Sequence, residues 1–386
     1  MSDLPLLWPF FDDSQREFAP VFRSWVNQHL AEFESDEGQT GSAAREIFRR
    51  LGDAQWLPAT TQLVAGASGA RVDLRRICLM REILGYSSAI ADVALSEPWL
   101  AALPIALYGT AEQKRKYLES YGAGRSLPAF ALSEPDAGSD VAAIGMTATA
   151  SADGYVLNGR KTWTSNSGLA DMYLVFARTE GQAGAHGISA FLVDADNPGV
   201  ALEQRLRVLP PHTVGTLRFE ACRVDASCML GEPGRGFEIA MRALELFRPT
   251  MAAATVGFAR RAFDEALQRS KQRVAFKKPI SEHQLIQGKL ADMAVKVDAA
   301  ALLAYRAAWM HDMGQPSISR EASIAKLYCS EAAQEVVDQA LQIFGGMGVV
   351  HGTVVERLYR HVRAFRIFDG TSEIQKLVIA KHLLKG

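Results

Sequence analysis

The chain has 386 residues, of which 48% are hydrophobic and 22% are charged, with 31 glycines and 15 prolines. This balance is typical of a folded chain with a substantial core, and it excludes disordered, collagen-like and low-complexity proteins. The 42 basic and 43 acidic residues nearly cancel, and no run of Lys and Arg is longer than three. We therefore expect no nucleic-acid partner, because phosphate neutralisation requires a basic excess.

The cysteines and the N-terminus point to a reducing compartment. Cys78, Cys222, Cys228 and Cys329 show neither CxxC spacing nor a histidine at metal-ligand spacing, which predicts reduced, buried thiols and no metal site. The N-terminus lacks the basic and apolar regions of a signal peptide, and no segment reaches the roughly 18 continuous apolar residues of a membrane span. We therefore expect a cytoplasmic protein without membrane contact.

The first part of the chain has a helical pattern. From about residue 14 to residue 118, apolar residues recur at spacings of three and four, as in amphipathic helices. Breaks near Gly69 and Pro104 are expected to divide this region into several helices.

The pattern changes between Ala129 and Val224 to short apolar or alternating runs. Turn dipeptides such as Asp153-Gly154 separate the runs. The runs are Tyr155–Leu157, Met172–Ala177, Ile188–Val193 and Leu217–Val224. This region is predicted to be an antiparallel β-domain.

Long alanine-rich stretches return after Gly236. They are Phe237–Gln272, Ser281–Met313, Ser319–Phe344 and Val354–Leu384. Helices of about 25 to 35 residues are typical of an antiparallel bundle. The predicted fold class is therefore α+β, with an N-terminal helical domain at 1–125, a central antiparallel β-domain at 126–233 and a C-terminal four-helix bundle at 234–386.

Two stretches of the β-domain could bind a cofactor. Ala131–Asp140 (ALSEPDAGSD) crowds small residues and hydroxyls around turns, so backbone N–H groups could approach an anion or a flat ring. Lys161–Ser167 (KTWTSNS) places a tryptophan among hydroxyls at the end of a strand, which suits stacking on an aromatic cofactor. A plain surface turn and a core tryptophan followed by a turn are the structural alternatives.

Three stretches of the helical region are also unusual. Arg273–Ile280 (RVAFKKPI), followed by Gln284, reads by itself as a helix connection with a basic edge. Gln342–Gly348 (QIFGGMG) allows close backbone approach or a simple helix C-cap. In Phe368–Gln375 (FDGTSEIQ), the aspartate is either a partly desolvated carboxylate or the N-cap of the last helix.

In this order and at these spacings, the five stretches resemble the acyl-CoA dehydrogenase family along essentially the whole chain. The resemblance implies the three-domain fold, an FAD cofactor and α,β-dehydrogenation of an acyl-CoA thioester. In that reaction a carboxylate removes the α-proton while the β-hydride passes to flavin N5. The resemblance also implies a homo-oligomer, either a dimer or a dimer of dimers, and an electron-transferring flavoprotein as electron acceptor.

The resemblance assigns the site residues. Ser133, Trp163 and Ser165 would line the isoalloxazine ring, and Ser139 would lie between the flavin pyrophosphate and the substrate. Leu132, Gly138, Phe276 and Thr371 complete the cofactor set on this basis. Arg273, Gln284, Gln342, Gly345 and Gly346 would reach the ADP half of the FAD bound by the neighbouring subunit. Ser139, Glu245, Arg248 and Gly370 would contact substrate, although Glu245 could equally belong to a solvated helix pair.

The implied catalytic base is Asp369, which occupies the position of the family's usual glutamate and is one methylene shorter. The other glutamate position used in this family corresponds here to Phe247. Burial beside Ile367 and Phe368 is expected to raise the proton affinity of the Asp369 carboxylate. The shorter side chain requires the substrate or the backbone to shift by about 1 to 1.5 Å. A substrate closer to the bundle wall would suit a cyclic or α-branched acyl group.

Other readings stay open. A flavin oxidase of the same fold could act on a nitroalkane-type substrate, and a related dehydrogenase could use an acyl-carrier-protein thioester. A non-catalytic assembly subunit would bind no flavin. Residues 66–70 and Pro210-Pro211-His212 depart from the family pattern where substrate walls are expected, so the shape of the acyl group cannot be read. The scattered histidines are interpreted as structural.

Overall fold

A computed structural model gives the fold and describes residues 6–34, 40–64, 71–179 and 184–384. In its N-terminal part, helices pack around buried aliphatic and aromatic side chains. They are α1 (Asp13–His29), α2 (Thr40–Asp53), α3 (Pro58–Thr61), α4 (Leu74–Ser87), α5 (Ala89–Tyr108), α6 (Ala111–Gln113) and α7 (Glu119–Gly122), with a π-helical turn at Lys114–Leu118. Capping side chains fix several starts, including Asp12 for α1 and Ser88 for α5.

The predicted break at Pro104 is wrong. Helix α5 continues through Pro98 and Pro104 to Tyr108. A proline inside a helix removes one hydrogen bond, but the surrounding packing offsets that loss, since almost every residue from Ile90 to Ala106 is buried. By length and composition α5 could cross a membrane, yet 89% of its apolar window is buried inside the described structure. The break predicted near Gly69 lies outside the described residues.

The middle of the chain forms a twisted sheet. Its strands are β1 (Pro128–Ala131), β2 (Thr147–Ser151), β3 (Gly154–Ser165), β4 (Met172–Thr179), β5 (Ile188–Asp194), β6 (Val200–Leu206), β7 (Val214–Asp225) and β8 (Met229–Leu230). In the described residues the order is β6-β7-β3-β2-β4-β5-β8, with β1 also pairing with β4. One face of the sheet packs on the helices, and the other face has its own apolar cluster.

The prediction of a purely antiparallel sheet is wrong. Strand β4 pairs in parallel with β1 along its first half and with β2 along its second half. The strand pattern of the sequence predicts where strands lie but not their partners, and the long connection between β1 and β4 is compatible with parallel pairing.

The C-terminal helices are α8 (Gly236–Gln272), α9 (Gln284–Asp312), α10 (Ser319–Phe344), α11 (Val354–Val362) and α12 (Ser372–Leu384). A two-stranded ribbon, β9 (Val274–Ala275) with β10 (Lys278–Pro279), joins α8 to α9. The predicted fourth bundle helix is therefore two helices, with a short 3-10 segment at Arg363–Arg366 between them. Helical backbone is interrupted at Asp369 and Gly370, whose φ angles are 55° and 92°.

The helices of the N-terminal and C-terminal parts share one apolar core, in which α4 and α5 pack against α8. This packing brings α5, the end of β3 and the loop before α12 together. The expected buried thiols are observed at Cys78, Cys222 and Cys329, while Cys228 is only partly buried.

Candidate active site

The ALSEPDAGSD loop is held against strand β3. The ammonium group of Lys161, which is fully buried, donates to the Leu132 carbonyl at 2.9 Å and to Oε1 of Glu134 at 2.7 Å. The Thr162 amide donates to the Ser133 carbonyl at 2.9 Å. Burial lowers the pKa of Lys161 to about 8, against the opposing effect of Glu134. The structure therefore places Leu132 and Ser133 beside the end of β3, as the site prediction requires.

The end of β3 presents an aromatic face beside hydroxyl groups. Trp163 is 60% exposed and has a φ angle of 56°, so its side chain is not part of the core. Ser133 and Ser165 keep accessible surface, and Gly138 and Ser139 are exposed. An exposed indole beside hydroxyls and an open glycine-bearing loop fits a flat, anionic cofactor such as FAD.

The loop that carries Asp369 is held from two sides. The Gly370 carbonyl accepts hydrogen bonds from Lys326 Nζ at 2.7 Å and from Gln375 Nε2 at 2.9 Å. A Cβ atom at Gly370 would lie 2.6 Å from the Gln375 amide nitrogen. Thr371 begins α12, because its hydroxyl accepts from the Ile374 amide at 3.3 Å. The N-cap of the last helix is thus Thr371, which leaves the Asp369 carboxyl for other uses.

Burial raises the pKa of Asp369 to about 7, and the Glu97 carboxylate acts in the same direction. The cations of Lys326, Arg81 and Arg248 oppose this rise. A carboxyl group that titrates near neutrality is suited to general base catalysis.

The expected contribution of Ile367 and Phe368 to this burial stays a prediction. Their side chains are 55% and 37% exposed, so they are themselves only partly covered. The charged residues that act on Asp369 are on α4, α5, α8 and α10.

Two buried cations lie close to this loop. Lys326 on α10 is 1% exposed, and burial lowers its pKa to about 8 although Asp369 opposes the change. Arg248 on α8 is 7% exposed, and burial lowers its pKa as well. The Nε atom of Arg248 has no hydrogen-bond partner among the described residues. Arg248 and Gly370, both predicted to contact substrate, are thus brought next to the predicted base.

Glu245, which is also predicted to contact substrate, is held by hydrogen bonds within the fold. Its Oε1 atom accepts from the Ser317 hydroxyl at 2.7 Å and from the Ile318 amide at 2.6 Å. Its Oε2 atom accepts from Arg242 at 2.8 Å. The side chain is buried and fixes the segment before α10, so it does not belong to a solvated pair; substrate contact by Glu245 stays a prediction.

The residues predicted to reach a neighbouring subunit's FAD lie at one end of the bundle. The Arg269 guanidinium lies 5.7 Å from the Phe344 ring centroid, which joins the end of α8 to the end of α10. The residues at this end are Arg273, Phe276, Gln284, Gln342, Gly345 and Gly346, and all are exposed. Their exposure is compatible with the prediction that they contact the FAD of a neighbouring subunit, which stays a prediction.

Sequence reasoning missed Glu97, whose charge acts on the predicted base. Glu97 lies on α5, and its only hydrogen bond among the described residues comes from the Ser165 hydroxyl. Burial raises the pKa of Glu97, and that hydrogen bond opposes the rise. The Ser165 oxygen is also 2.8 Å from Nε2 of His212. No sequence signal marked Glu97, because an isolated glutamate in an apolar helix resembles a surface position.

A second missed feature is a buried ion pair behind Glu97. Arg81 Nε and Nη2 each donate to Asp92 at 2.8 Å, and Nη1 donates to the Thr250 hydroxyl at 3.1 Å. Both side chains of the pair are at most 2% exposed. Burial lowers the pKa of Arg81, but Asp92 more than offsets this, so the net shift is upward.

The fold and the site define a flavin-dependent oxidoreductase, since one chain combines a surface suited to a flat, anionic redox cofactor with a desolvated carboxyl group. Models of the acyl-CoA dehydrogenase N-terminal, middle and C-terminal domains match residues 12–125, 129–222 and 234–384. The chain therefore belongs to the acyl-CoA dehydrogenase family, whose cofactor is FAD. This confirms the predicted family, fold class and cofactor; the domain boundaries and individual site residues stay predictions.

Individual relatives agree with this assignment. The chain is 38% identical to a 3-(aryl)acrylate reductase of Clostridium sporogenes, over 97% of this chain and 100% of the relative. It is also 38% identical to the human mitochondrial short-chain specific acyl-CoA dehydrogenase, over 97% and 88%. It is 36% identical to subunit CarC of the caffeyl-CoA reductase-Etf complex of Acetobacterium woodii, over 97% and 100%.

Solved structures show the same fold. Butyryl-CoA dehydrogenase of Megasphaera elsdenii matches with a TM-score of 0.88 and 34% identity, over 97% of this chain and 99% of that one. The prolyl acyl carrier protein oxidase AnaB matches with a TM-score of 0.86 and 30% identity, over 97% and 99%.

Proposed function

We propose that this protein is an acyl-CoA dehydrogenase that forms a double bond between the α and β carbons of an acyl thioester, with Asp369 as the base. The observation that supports this most directly is a carboxyl group with a pKa raised to about 7, on a loop that the buried Lys326 holds through the Gly370 carbonyl. The α-proton of a thioester is weakly acidic, so the base must be deprotonated yet basic enough to take it.

The loop supplies more than the carboxylate. Among the described residues, the Asp369 amide N–H donates to no acceptor, whereas the Gly370 carbonyl is occupied by Lys326 and Gln375. The free N–H could hold the thioester oxygen as negative charge develops there. Because Gly370 has no side chain, the thioester could approach the loop closely.

The proposed cofactor contacts follow from the same geometry. Trp163 would stack against the flavin, Ser133 would donate a hydrogen bond to its edge, and Ser165 would line the ring. When bound, the flavin supplies the acceptor for the hydride that leaves the β carbon. The charges of Arg248 and Lys326 favour the ionised form of Asp369, so this carboxylate would be able to accept a proton at neutral pH.

Anaerobic mixing with acyl-CoA thioesters tests this proposal through bleaching of the flavin absorption. We expect the FAD-loaded protein to bleach and Asp369→Asn to bind FAD but not bleach. Asp196→Asn, which removes an exposed carboxylate from the β-domain, is the matched control and should behave like the unmodified protein. Rapid bleaching by Asp369→Asn would refute the assignment of the base.

The shorter reach of aspartate supports a cyclic or α-branched acyl group as substrate. The experiment compares cyclohexanecarboxyl-CoA with butyryl-CoA and octanoyl-CoA. A clear preference for a straight chain would contradict this part of the proposal.

We also propose an electron-transferring flavoprotein as acceptor, in keeping with the similarity to a subunit of a reductase-Etf complex. The exposed end of the bundle supports a homo-oligomer, either a dimer or a dimer of dimers. We also propose that the protein is cytoplasmic. Slow reaction of the reduced protein with oxygen, together with reduction of a ferricenium dye, would support a dehydrogenase; rapid peroxide release would support an oxidase.

A carrier-protein thioester is the second candidate substrate, favoured by the similarity to a prolyl acyl carrier protein oxidase. Bleaching by a carrier-protein thioester but not by the matching CoA thioester would select this alternative.

A further inference from the structure

Glu97 keeps accessible surface in the middle of a buried helix. Every other residue of α5 from Ile90 to Ala106 is buried. Asp369 likewise keeps accessible surface, and the Glu97 charge raises the pKa of Asp369. A polar, partly exposed glutamate at this position, acting on the predicted base, is a candidate contact for the substrate.

The Glu97 carboxylate is left short of hydrogen-bond donors. An ionised carboxylate can accept about four hydrogen bonds, and a buried one is costly unless most are made. Among the described residues only the Ser165 hydroxyl donates to it. The Arg81 charge favours the ionised form of Glu97, but the hydrogen bonds of its guanidinium go to Asp92 and Thr250.

Ser165 links Glu97 to a buried histidine. The Ser165 oxygen lies 2.8 Å from Nε2 of His212, so one of these two groups donates to the other. Burial lowers the pKa of His212 to about 4, so its ring is neutral near pH 7. This polar pair therefore brings no positive charge to Glu97.

A second polar group in this part of the core also has no partner. His361 is 3% exposed, and both of its ring nitrogens lack hydrogen-bond partners among the described residues. Its ring centroid lies 5.3 Å from that of Phe365, and Phe365 lies 4.8 Å from Phe368, the residue before Asp369, so His361 is near the loop of the predicted base. Unpaired buried polar groups are rare, and a polar ligand would explain this one.

We infer that Glu97 is a specificity residue that accepts a hydrogen bond from a hydroxyl or amine on the acyl group of the substrate. This inference rests on the proposed function and narrows its substrate class to acyl thioesters that carry a hydrogen-bond donor beyond the β carbon. A wholly hydrocarbon acyl chain would leave the carboxylate with one donor after water is displaced, and such a loss is unfavourable.

Pairs of thioesters that differ by one group test the inference. Suitable pairs are cyclohexanecarboxyl-CoA with its 4-hydroxy derivative and hexanoyl-CoA with 6-hydroxyhexanoyl-CoA, and 4-aminocyclohexanecarboxyl-CoA distinguishes an ammonium group from a hydroxyl. Binding is measured from the shift of the flavin absorption in FAD-loaded Asp369→Asn, which cannot turn the ligand over. A hydrogen bond to a buried charge predicts about tenfold to hundredfold tighter binding of the substituted member.

Glu97→Met removes the acceptor at similar volume and is expected to abolish the preference, while Glu97→Gln should keep part of the hydroxyl preference and lose the ammonium preference. Glu112→Gln, an exposed position in the same helical region, is the control that should change nothing. Flavin absorption and thermal unfolding verify that each variant is folded.

Two results overturn the inference alone: equal binding within each pair, or an unchanged preference in Glu97→Met. If no thioester of the panel binds to the protein or bleaches its flavin, the proposed function fails and the inference fails with it. Bleaching by unsubstituted thioesters without any preference leaves the proposed function intact.

Discussion

The raised pKa of Asp369 should make protein stability depend on pH in a way that Asp369→Asn removes. In the folded chain this pKa is about 7, against 3.8 for an unperturbed aspartate, because burial and Glu97 disfavour the charged form. The difference of about 3 units corresponds to about 4 kcal/mol. The residue keeps some accessible surface, so solvent screening reduces the expected effect toward about 2 kcal/mol.

The direction of this pH dependence follows from the linkage between proton binding and folding. A carboxyl group whose pKa is raised on folding stabilises the folded state below its unfolded pKa, and this contribution is lost as pH rises toward the folded pKa. Relative to Asp369→Asn, the unmodified protein should therefore lose about 2 kcal/mol in total as pH rises from about 4 to about 7. Above about pH 7.5 the difference between the two proteins should be constant.

Urea unfolding of the two FAD-loaded proteins at several pH values measures this difference. Asp196→Asn should differ from the unmodified protein by the same amount at every pH, since its carboxylate is exposed. A difference that does not change with pH, or an unmodified protein that gains stability relative to Asp369→Asn as pH rises, would show that the carboxyl group is not held in a desolvated site.

Further consequences concern the loop and the buried charges. The bleaching rate of the unmodified protein should rise with pH and level off above about 7. Lys326→Met should shift this rise to higher pH, because the lysine charge lowers the pKa of Asp369. Stopped-flow pH profiles measure both effects, and an unshifted profile would contradict the assigned effect of Lys326. Gly370→Ala should cost about 1 to 3 kcal/mol in unfolding free energy, since φ is 92° and Cβ would meet Gln375, whereas Gly288→Ala, with nothing within 4 Å, should be neutral or stabilising. Arg81→Met or Asp92→Leu alone should lower the free energy of unfolding by about 3 to 5 kcal/mol, and the double variant should recover most of that loss. Additive losses in the urea titrations would argue against a mutually compensating pair.

Much of the fold could be predicted from local pattern. The helix at Ser319–Phe344 has the predicted bounds, and the strands that begin at Met172 and Ile188 begin where their apolar runs do. These elements have strong periodicity and clear flanking turns, so local signals were sufficient. The errors arose where packing overrode propensity, at Pro104, and where backbone with positive φ interrupted a helical pattern, at Asp369.

The sequence by itself determined the family motifs and the order of helices and strands, and it predicts Asp369 as the base, because these depend on residue types at fixed spacings. It did not show that Glu97 would lie near Asp369, or that Arg81 would pair with Asp92. Those relations join side chains whose positions depend on how α4, α5 and α8 pack. Charge state is likewise a property of surroundings: burial and neighbouring charges set the pKa of Asp369, and only the tertiary structure brings them together.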